Sequence, residues 1–273
     1  MDRDEAAMLL VVLLSGALMW LVGGLTPASP SADEATAWRR LWLPAIPASI
    51  PFFTLLGFAV ADHEGPQSLG LTRLLAMVPF GLVWIRAAVR AVRAAFAPGR
   101  GPAIATGLFR PRIELSTELR ASLDPGELRA VMAHEQAHVR HRDPLRIWLA
   151  QIVTDLQWPL SRPRGRQRIW TRALELARDE EAARQPGVDA ADLASAILKA
   201  ARLAQHPAQA VASLTNDEAF LEARVRRLLA PAGDPRRSRR SFLMPLAVCL
   251  AVAAFTFGMA AAGPVVATLA GNP

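Results

Sequence analysis

The chain has 273 residues, 52% hydrophobic and 20% charged, with 31 basic against 24 acidic side chains and a formal charge of +7. Its one cysteine, Cys249, excludes an intrachain disulfide and a cysteine-built zinc site. A positive mean hydropathy of +0.22 leaves a very apolar globule or a membrane protein, and the clustering of the charges favours the second.

Residues 8–25, 41–61 and 242–273 carry no charged side chain. Each run meets the roughly 20 residues that a bilayer core requires of a helix. Residues 70–92 read as a further span, with Arg86, Arg90 and Arg93 on one face and able to snorkel to an interface. The rival for that stretch is an amphipathic helix lying on the membrane. The leader Met1-Asp2-Arg3-Asp4-Glu5 is acidic where a cleaved signal peptide is basic, so 8–25 reads as a retained helix. The expected organisation is a membrane region over 1–96 with three transmembrane helices (about 8–25, 41–61 and 70–92), a domain over 97–241, and a fourth transmembrane helix with a short tail over 242–273.

Arginine sets the expected orientation. Arg86, Arg90, Arg93, Arg100, Arg110 and Arg112 precede or enter the central domain, and Arg236, Arg237, Arg239 and Arg240 follow it. Positive flanks on both sides put that domain in the cytoplasm of a bacterial-type cell. A pI near 11.2 raises nucleic acid as a partner, but no recognised binding signature accompanies the arginines. Anionic headgroups of the lipid bilayer are the simpler partner, for Arg162, Arg164, Arg166 and Arg168 as well.

The domain opens with two β-prone runs, Ala103 to Thr106 and Ile113 to Ser116, separated by Gly107 and Pro111 as in a hairpin. The second strand offers an edge to an extended substrate. Asp124-Pro125-Gly126-Glu127 then reads as a helix start with N-cap, first-position proline and third-position carboxylate. Asp143-Pro144 reads as its end, because a residue before proline is pushed out of the α region. An apolar stripe predicts a helix over Leu145 to Leu156, and further helices are expected over about Gln167 to Ala183, Asp192 to Leu203 and Asp217 to Leu229.

Inside the first of these helices stands Ala133-His134-Glu135-Gln136-Ala137-His138, an HExxH sequence. Residues four apart share a helix face, so His134 and His138 can hold one zinc ion while Glu135 reaches the water bound to it. Catalytic zinc takes three protein ligands. His63 falls on the other side of the membrane in this topology, and His206 lies in a loop without a motif. His141 sits about 10 Å along the helix axis from His134, too far to share the ion. Glu175 is the stronger third ligand, because Asp179 follows it by one turn and can hydrogen-bond the far nitrogen of a zinc histidine. Both carboxylates also fit a solvated acidic helix face, and it is the HExxH that decides for the ligand.

The stretches Thr106 to Ser116, Glu127 to Leu145 and Glu175 to Asp179 resemble the transmembrane metallopeptidases related to the BlaR/MecR antibiotic sensors. The resemblance covers about residues 102–229, with three expected spans before the domain and one after it. It implies a gluzincin-type zinc site in a small zincin-like α+β domain, with His134, His138 and Glu175 as ligands and Glu135 as general base. It also implies cleavage of a protein substrate, in the sensors a transcriptional repressor or the protein itself. The sequence ends soon after the fourth expected span, so the extracellular sensor domain and β-lactam sensing are not implied. Where the family tends to place asparagine before proline ahead of the third-ligand helix, this chain has Gln157-Trp158-Pro159.

The expected fold class is thus a mainly α membrane protein carrying this domain, and the expected function is an integral membrane zinc endopeptidase. A sibling reading is a quality-control protease of the HtpX or prenyl-protein endopeptidase type. Those usually carry threonine-histidine-proline near the helix of Arg224, and His206-Pro207 lies upstream of it and follows Gln205. A non-enzymatic signalling scaffold is the rival of another class, and the intact Glu135 argues against it.

Overall fold

The computed structural model describes residues 33–42, 71–96, 102–204 and 214–230, with scattered positions before residue 24, at Phe53 and between 247 and 258. They fall into two compact units, one within Met1–Val92, Ala150–Ile169 and Arg239–Pro273, the other within Arg93–Leu149 and Trp170–Ser238.

In the first unit, helix α1 (Glu34–Trp42) starts where the Asp33 carboxylate accepts from the Thr36 amide at 3.1 Å and its hydroxyl at 2.7 Å. Leu41 and Trp42, expected to open the second span, lie in the last turn of this helix, both buried. Helix α2 (Leu71–Ala95) occupies the third expected span and contains Pro79. Two of its arginines serve a carboxylate of the same unit. Arg86 and Arg90 ion-pair with the buried Asp155 at 3.1 and 2.8 Å, and the Arg86 guanidinium lies 5.3 Å from the Trp158 ring centre.

Among the described residues no helix is long and apolar enough to cross a membrane, which overturns the expected four-span fold class. The physical reason in α2 is that arginines at 86, 90 and 93 make its second half polar, and two of them serve a buried carboxylate. Most of 8–25, 41–61 and 242–273 lies outside the described residues. The orientation inferred from the arginine flanks presupposed those spans. What the structure describes is a mainly helical chain with one small sheet.

The second unit begins with strands β1 (Ala103–Thr106) and β2 (Arg112–Leu115), antiparallel with Ala103 opposite Leu115 and Thr106 opposite Arg112. Their connection needs Gly107, which has φ +90° and whose added Cβ would stand 2.8 Å from the Arg110 carbonyl oxygen. A short helix α3 (Thr117–Ser122) follows, unexpected from the sequence, capped by the Ser116 hydroxyl accepting from the Leu119 amide at 3.1 Å. Helix α4 (Pro125–Arg140) carries the HExxH and starts at the expected cap. Asp124 accepts from the Gly126 and Glu127 amides at 2.8 Å each, and the Glu127 carboxylate accepts in return from the Asp124 amide at 2.9 Å.

Helix α5 (Asp143–Asp155) starts at the very residue expected to mark the end of α4. Arg142, with φ 54°, makes the corner between them. Helix α6 (Arg162–Ala183) starts five residues before the expected position, with Pro163 in its first turn where a missing amide costs nothing. Helices α7 (Ala190–Ala204) and α8 (Leu214–Leu229) complete the described elements. Ala130, Ala133, Ala182 and Leu193 form a buried cluster, with Val188, Ile197 and Leu228 packed against it. The small residues let α4, α6 and α7 approach closely, which fixes the two helices that carry the site. Lys199, the one lysine of the sequence, reaches from α7 to Glu127 at 2.5 Å and joins the start of α4 to this core.

Because Asp124 satisfies two orphan amides at the head of α4, Asp124→Ala should destabilise the protein by about 1 kcal/mol. A lower urea midpoint at unchanged slope checks it, and an unchanged midpoint counts against the cap.

Candidate metal centre

Helix α4 supplies His134, Glu135 and His138, all buried, and α6 supplies Glu175 and Asp179. One ligand atom each of His134, His138 and Glu175 lies within 4.8 Å of the others. The two Nε2 atoms are 3.1 Å apart, and the Glu175 carboxylate stands 3.6 Å from that of His134 and 3.7 Å from that of His138. His141 is turned away from this cluster, exposed and 2.7 Å from Glu181. His63 and His206 lie outside the described residues.

Both rings turn their other nitrogen to a carboxylate. His138 Nδ1 hydrogen-bonds the fully buried Asp143 at 2.9 Å. His134 Nδ1 stands 3.0 Å from Asp179, an ion-pair distance without the alignment of a straight hydrogen bond. Each carboxylate is in turn gripped by an arginine fork. Arg178 donates to Asp143 at 2.5 and 3.1 Å, and Arg224, from α8, donates twice to Asp179 at 2.7 Å. Arg224 also reaches Glu175 at 3.3 Å. Once His134 gives up its extra proton and each ring keeps the other on the Nδ1 side, the two Nε2 atoms and the Glu175 carboxylate can all offer lone pairs to one cation, an arrangement that fits a metal ion.

The same crowding governs protons. Burial disfavours a charged imidazole, yet Asp179 and Glu175 outweigh it and raise the His134 pKa from 6.5 to about 9. Burial likewise opposes ionisation of Glu175, but the His134 hydrogen bond and the charge of Arg224 bring it down to about 2. Glu135 behaves differently: burial pushes its carboxyl above the ordinary 4.5, against the pull of His134 and His138. A buried carboxylate of raised basicity beside a cation site is suited to accept a proton.

Sequence reasoning missed Asp143, Arg178 and Arg224. Asp143 had a signal, a carboxylate five residues past the second histidine, but it read as a helix stop. Arg178 adjoins Asp179 in the sequence and so pointed to the right helix. Arg224 had none, being 45 residues from Asp179 along the chain.

Residues 100–228, just under half of the chain, match the family described as BlaR1 peptidase M56. The protease HtpX homolog 2 of Methanosarcina mazei is 32% identical over 104 residues, 38% of this chain and 33% of that protein. The protease HtpX homolog 1 of Streptomyces coelicolor is 32% identical over 105 residues, with the same coverage of 38% and 33%. The matched stretch thus spans about a third of the length of these curated relatives. No solved structure matches. These similarities bear out the resemblance of the matched region to the BlaR/MecR-related metallopeptidases.

A histidine whose pKa is raised on folding stabilises the protein below its unfolded pKa and ceases to do so as pH rises through the folded one. The metal-free protein should therefore lose stability between pH 6.5 and about 9, by on the order of 3 kcal/mol. A bound divalent cation replaces that proton, so loaded protein should hold its unfolding temperature across the same interval. Parallel melting curves that fall together would remove the cation from the account.

The ligand geometry gives a second expectation, read by metal analysis of purified variants. Glu175→Ala should lose most of the bound metal and Asp179→Ala should weaken binding about 10–100-fold. His141→Ala should leave metal content unchanged. Retention of metal by Glu175→Ala with loss in His141→Ala would reassign the third ligand.

Proposed function

We propose that this domain is a zinc-dependent endopeptidase in which His134, His138 and Glu175 hold one zinc ion and Glu135 is the general base. The observation that carries the reading is the convergence of one potential ligand atom from each of these three residues, each histidine backed by an arginine-gripped carboxylate. When bound, zinc would supply Lewis acidity toward a scissile carbonyl and toward water. Glu135, kept basic by burial, takes the proton of the attacking water and returns it to the departing amine. Asp179 holds His134 so that Nε2 faces the ion. Strand β2, packed beside α4, offers backbone groups to an extended peptide.

The substrate class is a protein. The BlaR/MecR resemblance points to a regulator such as a transcriptional repressor, and the curated relatives, both called protease HtpX homologs, favour the second reading, a quality-control protease. Comparing newly formed protein termini in cells carrying the intact or the Glu135→Gln chain separates the two: one or a few sites for a regulator, many unrelated sites for quality control.

Glu135→Gln removes the proton acceptor and no ligand, so purified protein should retain zinc while turnover falls by about 10²–10⁴-fold. Wild-type cleavage by that variant would end the hydrolase assignment.

A further inference from the structure

We propose that Asp143 is the positioning residue of the second histidine ligand, held by Arg178, so that the single helix α6 sets the geometry of all three ligands. If His138 Nε2 binds the ion, as proposed above, its Nδ1 must be fixed from behind, and Asp143 is the group that stands there, at 2.9 Å. Asp143 is fully buried, and its carboxylate is met by two guanidinium groups and the His138 ring. Its Oδ2 accepts from His138 and from Arg178 Nε at 2.5 Å, and its Oδ1 accepts from Arg178 Nη2 at 3.1 Å and from Arg146 Nη1 at 2.9 Å. A buried ion pair is a poor stabiliser compared with apolar residues of the same size, so its presence points to what it holds in place.

The backbone is bent to put it there. Helix α4 ends at Arg140, His141 caps it, and Arg142 adopts φ 54°, a left-handed conformation that costs a side-chain-bearing residue energy. The corner returns Asp143 to the ring five residues before it. On α6, Glu175, Arg178 and Asp179 stand three and four residues apart and so share one side of the helix. Glu175 would itself be a ligand of the ion, Asp179 stands behind His134, and Arg178 holds the aspartate that holds His138. A rotation or slide of α6 therefore moves every ligand together.

The test must part positioning from simple stability. Asp143→Ala alone takes from Arg178 and Arg146 the buried carboxylate they share and endangers the fold, so it is paired with Arg178→Met, which removes the facing charge. The double variant of the full chain, stripped of metal, should unfold cooperatively with wild-type secondary structure by circular dichroism. Its zinc affinity, measured against a chelating indicator, should nevertheless be about 10–100-fold weaker than wild type. Affinity that recovers together with stability would make Asp143 structural only and overturn the proposal.

A second measurement holds even if the double variant does not fold. In zinc-loaded wild-type chain labelled with ¹⁵N-histidine, His138 should show a downfield, exchange-protected proton on Nδ1, with Nε2 bound to the metal. Binding through Nδ1, or no proton there, overturns the proposal while leaving the zinc site itself standing. A wild-type chain that takes up no zinc sinks both.

Discussion

Three potential ligand atoms lie within 4.8 Å of one another, an arrangement that needs a positive charge among them, a proton on His134 in the metal-free protein or a cation in its place. Two imidazoles can face each other through bare nitrogens only if their remaining nitrogens keep their protons, and that requires an acceptor behind each ring. Asp143 and Asp179 are those acceptors. Each is a buried anion that would be costly alone, and each is matched by an arginine fork whose two donors fit the two carboxylate oxygens.

The scaffold follows from the need to keep α4 and α6 in fixed register. Alanines at 130, 133 and 182 bring the helices close, so the side chains that reach across can be short. A carboxylate one turn from its neighbour then meets an imidazole one turn from its own. The capping box at Asp124, with Lys199 pressing on Glu127, fixes where α4 begins, and hence the rotation at which its histidines emerge.

Local chemistry was legible in the sequence and tertiary chemistry was not. The helix start at Asp124, the HExxH, Glu175 and Asp179 could be placed because each rests on spacing within one helix, where 3.6 residues per turn decide what faces what. The helix α3 was missed because its cue is a single serine cap. Asp143 was misread because a residue before proline can end one helix or begin the next, and the choice depends on the positive φ of Arg142. Arg224 belongs to a helix on the far side of a long connection. The expectation of four spans failed in α2, where composition alone cannot tell an arginine reaching for headgroups from one reaching for Asp155.

The grips on the two aspartates are guanidinium forks in a chain that has one lysine among its 31 basic residues. A guanidinium keeps its proton at any pH a cell experiences, whereas a buried ammonium can lose its own. The arginines of the outer ring are thus permanent charges, and the shifted proton equilibria lie at the centre, in His134, Glu135 and Glu175. A response of the centre to acidity is written in side chains such as these, on arginine grips that do not themselves titrate.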